Sequence, residues 1–90
     1  MMKIRKGFTL RTVMGQNIVL AEGNNSDSFG KMISLNESAA KLWEGLKGKE
    51  FDTDYAADLL VKHYGIDRAQ ALTDAAYIIG LMEEKGLIEK

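Results

Sequence analysis

The apolar positions of this chain change period once. From Phe8 to Ser34 they come in short runs rich in β-branched and aromatic residues: Phe8-Thr9-Leu10-Arg11-Thr12-Val13, Ile18-Val19-Leu20-Ala21, and Phe29 to Ile33. Gly and Asn separate the runs. Such segments suit a pleated, half-buried surface, and they predict three strands over 8–14, 17–21 and 29–34. Between the first two, Met14-Gly15-Gln16-Asn17 predicts a two-residue hairpin of type II′, with Gly15 supplying positive φ at the first central position. Glu22 to Ser28, made of Gly, Asn, Ser and Asp with one Glu, reads as a polar loop and is expected to be the most mobile segment.

After Ser34 the period becomes helical. Asn36 is a good N-cap, Leu35 before it can staple onto Ala40, and Ala39, Leu42, Trp43 and Leu46 follow at helical spacing before Gly48. Asp52 or Thr53 caps a second helix, whose apolar face is Ala56, Leu59, Leu60 and Tyr64 and which Gly65 ends. Asp67-Arg68-Ala69-Gln70 resembles a capping box with Asp as the cap, and opens a third helix closed by Gly86. The predicted helices cover 36–47, 53–64 and 67–85. Three strands of an antiparallel N-terminal sheet followed by three helices make an α+β fold, similar in order to a winged helix-turn-helix.

The third helix carries the least expected pattern. On a wheel, Ala71, Leu72, Ala75, Ile78, Ile79 and Met82 form the core side. Opposite them, Gln70, Thr73, Asp74, Tyr77, Gly80, Leu81 and Glu84 should be plain surface, yet Tyr77 and Leu81 stand one turn apart with Gly80 between them. Glycine inside a helix costs roughly 1 kcal/mol relative to alanine. Either tight packing against the protein's own strand or loop accounts for Gly80, or another backbone comes close there. Beside Tyr77 and Leu81, the pattern favours a partly exposed apolar groove.

Composition narrows the chemistry. Ninety residues without cysteine and with one histidine, His63, hold no disulfide, no thiolate zinc site, no redox relay and no pair of imidazoles. A chain of this size forms one small domain spanning 1–90, hiding roughly 60% of its unfolded surface, which suffices for a core but not for a deep pocket as well. No apolar stretch follows the basic start, and no window approaches the ~20 apolar residues of a membrane span, so the expectation is a soluble, cytoplasmic protein away from membranes. His63, beside Tyr64, reads as an edge residue covering core. The glycines match neither a dinucleotide fingerprint nor a phosphate loop. The pairs Glu83-Glu84 and Asp52-x-Asp54 fall at helix ends or on wet faces. No catalytic residue, metal site or cofactor is expected, and the chain is read as not an enzyme.

The net charge of −1 is unevenly spread. Residues 1–31 carry +3 and residues 32–58 carry −3. A winged-helix DNA reader needs a basic helix face to displace counterions. Here the second helix sets Lys62 against Asp54 and Asp58, and the third sets Arg68 and Lys85 against Asp74, Glu83 and Glu84. Nucleic-acid binding is therefore disfavoured. An exposed sheet edge is the other option: Phe29, Gly30, Lys31, Met32, Ile33 and Ser34 would carry unpaired N–H and C=O groups that a peptide could complete. If the third helix lies beside that edge, the peptide's side chains meet Tyr77 and Leu81.

Four pieces of the chain together resemble a known family. They are Gly7-Phe8-x-Leu10-Arg11-x-Val13-x-Gly15, Gly30 to Trp43 with its Leu-Asn-x-x-Ala-x-x-Leu-Trp core, Tyr64-x-Ile66-Asp67, and Gly86-Leu87-Ile88. In this order they resemble the PqqD family of pyrroloquinoline-quinone biosynthesis chaperones, over essentially the whole chain. The resemblance implies a winged-helix-like peptide-recognition element that binds a precursor's leader peptide as an added strand, and presents it to a radical-SAM or other maturase. It places the strand contacts at Phe29 to Ser34. The helix contacts, Thr73, Tyr77, Gly80, Leu81 and Glu84, follow from the wheel. The competing readings are a winged-helix nucleic-acid regulator and a structural subunit that pairs its open edge in a homodimer.

Overall fold

The computed structural model describes residues 1–21 and 32–89. Its elements in chain order are β1 (Lys3–Ile4), β2 (Phe8–Val13), β3 (Gln16–Ala21), β4 (Met32–Leu35), α1 (Glu37–Leu46), α2 (Thr53–Tyr64), α3 (Arg68–Glu84) and β5 (Ile88–Glu89). The α+β reading holds: β2, β3 and β4 form an antiparallel sheet in that order, and the three helices follow. The expected loop from Glu22 to Ser28 and the first part of the predicted third strand, Phe29 to Lys31, lie outside the described residues.

The hairpin differs from expectation. Val13 pairs with Gln16, so the two central residues are Met14 and Gly15, and both have positive φ, +52° and +79°. Positive φ at both positions defines a type I′ turn, not II′, and this form follows the right-handed twist of the strands it joins. The first strand consequently stops at Val13 and the second starts one residue early, at Gln16.

Within the sheet, Leu10, Val19 and Ile33 form one cross-strand row, and Thr12, Asn17 and Leu35 the next. The first row turns inward onto the helices. From the helices come Leu42, Trp43 and Leu46 of α1, Ala56, Ala57 and Leu60 of α2, and Ala71, Ala75, Ile78, Ile79 and Met82 of α3, all buried. The Asn36 side chain accepts the Ala39 N–H at 2.8 Å and Asp52 accepts the Tyr55 N–H at 2.8 Å, so Asp52 and not Thr53 caps α2. Asp67 accepts from Ala69 N–H at 3.2 Å, but the capping box does not close: the Gln70 amide donates forward to Asp74 at 2.8 Å. Gly65, at φ +63°, provides the left-handed residue that ends α2.

Two features went unforeseen. β1 pairs antiparallel with β5, and Met2 bridges to Phe51, so the chain start is tied both to its end and to the segment before α2. At Gly45 of α1 a Cβ would stand 2.8 Å from Leu59 Cδ1, the end of a side chain that would have to shift to admit it. A Cβ at Gly80 would meet nothing within 4 Å, so tight packing does not explain that residue. Among the described residues no helix is long and apolar enough to cross a membrane.

Candidate functional site

β4 is an edge strand: β3 lies on one side, and no described strand lies on the other. Side chains alternate along it, so Ile33 and Leu35 are half-buried while Met32 and Ser34 face out. Beside it lies a groove of about 280 Å³, with Ile33, Ser34 and Leu35 as one wall and Tyr77 and Leu81 of α3 with its C-cap Lys85 as the other. Its floor is core: Ala39, Ile78, Met82 and Leu87 are all buried. Tyr77 is 66% exposed and Leu81 40%, an unusual investment of apolar surface for a helix flank.

The groove continues in both directions. At one mouth a shallower depression is lined by Met32, Ile33, Glu84 and Lys85. At the other, a cavity of about 390 Å³ shares Asn36, Tyr77 and Ile78 with the groove and adds Ser38, Tyr64, Ile66 and Asp74. The start of β4 therefore neighbours the end of α3, and the start of α1 neighbours its middle. A chain laid in this channel would touch polar groups at either end and apolar side chains between them.

Of the residues singled out in the sequence, Ile33, Ser34, Tyr77 and Leu81 line the groove, and Met32 and Glu84 line its mouth. Thr73 and Gly80 are exposed on α3 outside the lining, and the Thr73 hydroxyl donates back to the Ala69 carbonyl at 3.2 Å. Phe29, Gly30 and Lys31 lie outside the described residues. The stripe of α3 that faces the groove is Asp74, Tyr77, Ile78, Leu81, Met82 and Lys85, rotated by roughly a quarter turn toward the core from the face the wheel selected. A groove lies at the boundary between core and surface, and a wheel split into those two halves hides it. Its signal was the i, i+4, i+8 series Tyr77, Leu81, Lys85 beside Ile78 and Met82.

The other candidates show no ligand geometry. His63 is exposed, its ring 6.5 Å from that of Tyr64. Among the described residues no group of three or more His, Cys, Asp or Glu side chains could hold a metal ion. Arg68 bridges Asp58 and Asp54 at the exposed junction of α2 and α3, an ion-pair setting worth about 0–1 kcal/mol.

Among the described residues, an edge strand thus faces an apolar helix flank across an open groove, on a small sheet-and-helices scaffold. The family is PqqD, coenzyme PQQ synthesis protein D, which matches residues 16–88, and the chain belongs to it. Among solved structures, a lasso peptide synthetase B1 complexed with the leader peptide is similar in fold, with a TM-score of 0.72 and 20% identity over 99% of this chain and 98% of that one. TbiB1 in complex with the TbiA(beta) leader peptide gives a TM-score of 0.71 and 19% identity, covering 97% and 94%. No curated protein matches the sequence.

Proposed function

We propose that this chain is a non-catalytic adaptor that binds the leader of a ribosomally made precursor peptide as a strand added to β4, and presents it to a modifying enzyme in the cytoplasm. The observation that carries the reading is the open edge of β4 set against the apolar groove of α3. The peptide's main chain pairs with the free N–H and C=O groups of β4, and its alternate side chains enter the groove. Affinity comes from the first set of contacts and selectivity from the second. Membership of the PqqD family supports this reading, as does the leader peptide bound in both solved chains of similar fold.

Met32, Ile33 and Ser34 form the described part of the pairing strand, and the sequence-based contacts at Phe29, Gly30 and Lys31 lie outside the described residues. Tyr77 and Leu81 receive side chains, Glu84 guards one mouth, and Thr73 and Gly80 flank the course of the peptide. The enzyme served is a radical-SAM or other maturase of a ribosomally made peptide.

The test is a titration of the labelled protein with synthetic leader peptides of ribosomally made precursors. Amide shifts should concentrate at Met32 to Leu35 and around Tyr77, and Tyr77→Ala should weaken binding about tenfold, equivalent to about 1.4 kcal/mol. Shifts that spare β4 would sink the reading. A dimer in sedimentation that peptide does not disturb would instead assign the edge to self-pairing, and duplex DNA binding with a steep salt slope would favour a nucleic-acid regulator.

A further inference from the structure

A second concavity lies on other elements and shares no lining residue with the groove. Lys3, Arg5 and Lys6 from the chain start and Lys47 and Lys49 from the α1–α2 connection surround a pocket of about 390 Å³, with Glu50 the one acid in its lining. All five cations are exposed. They are five of the twelve in the chain, leaving seven against the twelve remaining acids. The patch is thus strongly positive on a protein that is acidic elsewhere.

Backbone hydrogen bonds build it. Met2 N–H donates to the Phe51 carbonyl at 2.9 Å and Phe51 N–H returns to Met2 at 2.8 Å, while Arg5 N–H donates to the Leu87 carbonyl at 2.8 Å. These bonds draw the basic start alongside the basic connection, and the buried side chains of Ile4 and Phe8 anchor it from below. Little of this charge is neutralised. Lys3 pairs with Glu89 at 3.4 Å and Lys49 reaches the Tyr55 hydroxyl at 3.4 Å, but among the described residues no ion pair reaches Arg5, Lys6 or Lys47.

We infer that this patch docks an acidic segment of a partner protein, independently of the peptide groove. Charge complementarity names the occupant: a polypeptide can place separate carboxylates opposite Arg5, Lys6 and Lys47 while avoiding Glu50 and Glu89. A duplex presents an unbroken phosphate charge, one per ~1.7 Å of axis, which those two acids and the acidic remainder of the chain repel. Because the two sites have no residue in common, one molecule can hold a peptide in the groove and a partner on the patch.

The experiment titrates the full chain with an acetylated hexapeptide of four Glu and two Leu, followed by amide NMR. Shifts are expected at Gly7, Lys47, Gly48 and Lys49, weakening at least about fivefold when salt rises from about 0.05 M to about 0.5 M. The triple variant Lys6→Glu, Lys47→Glu, Lys49→Glu should lose binding at least about tenfold, and the Gln triple variant should fall between, with circular dichroism confirming the fold of each. The inference is overturned by absence of binding, or by shifts confined to Met32–Leu35 and Tyr77. It is equally overturned if inorganic phosphate alone reproduces the shifts, or if a DNA duplex binds the same amides more tightly than the hexapeptide.

Discussion

Ile33 of β4 stands directly opposite Val19 of β3, whose side chain is completely buried. That pairing decides the chemistry of the edge. A slip of one residue would exchange the two faces of β4, turning Met32 and Ser34 toward the groove and Ile33 and Leu35 away from it. The observed register puts two apolar side chains at the groove wall and leaves one rim of backbone groups without a partner among the described strands.

Hydrogen exchange should show this rim directly. In an antiparallel pair only alternate residues bond to the neighbour, so half of the β4 amides point at the free edge. Without peptide, exchange from Met32 to Leu35 should alternate between slow and fast. Adding the leader should slow the fast set by about tenfold or more, read by NMR-detected exchange. Fast amides that stay fast in the complex would remove β4 as the docking strand.

Gly80 offers a separation of stability from binding. It sits inside α3, exposed, with open space where a Cβ would go. Gly80→Ala should therefore raise unfolding free energy by about 1 kcal/mol in a denaturant titration. Peptide affinity should change less than about twofold, because the residue does not line the groove. A tenfold loss would show the peptide crossing α3 at that point.

The hairpin tip should also tolerate improvement. Met14 is 98% exposed and holds positive φ, which a side chain with a Cβ adopts at a cost and asparagine adopts readily. Met14→Asn creates the Asn-Gly pair favoured in type I′ turns and should stabilise the protein by about 0.5–1 kcal/mol, seen as a raised thermal midpoint. A lowered midpoint would mean that Met14 makes a contact its exposure does not suggest.

Leu46 should be among the least tolerant positions. It closes α1 with no exposed surface, amid the cluster that joins Trp43, Phe51 and Leu60. Leu46→Ala is expected to cost about 2–5 kcal/mol in equilibrium unfolding, a large part of the ~5–15 kcal/mol that holds a domain together. A cost below about 1 kcal/mol would indicate that the site collapses around the smaller side chain.

Local signals decided most of the elements. Asn36, Asp52 and Asp67 cap the helices because a carboxylate or amide oxygen one turn from free N–H groups suffices, and no distant residue is required. The residues after Ser34 likewise announce their buried face through spacing alone, and Ala39, Leu42, Trp43 and Leu46 are all buried. Local spacing failed where neighbours in space set the outcome. Two-residue strands such as β1 and β5 have no period to detect, since each exists only because the other is beside it.

The groove shows the same division. Its ingredients, a strand with Ile33 and Ser34 and a helix with Tyr77 and Leu81, were legible as residues with no evident core role. Which quarter of α3 would face the strand was not, because a helix wheel has no reference direction until the sheet and α1 pack against it. The basic patch lay even further from view: Lys3 to Lys6 and Lys47 to Lys49 stand more than forty positions apart in sequence, and long-range pairing such as the Met2–Phe51 bridge and the Arg5–Leu87 hydrogen bond brings them together. Local pattern marked the helix caps and the buried face of α1, since those depend on neighbours within a turn. Tertiary structure alone decided which edge stayed open and which charges gathered, since both depend on segments remote along the chain.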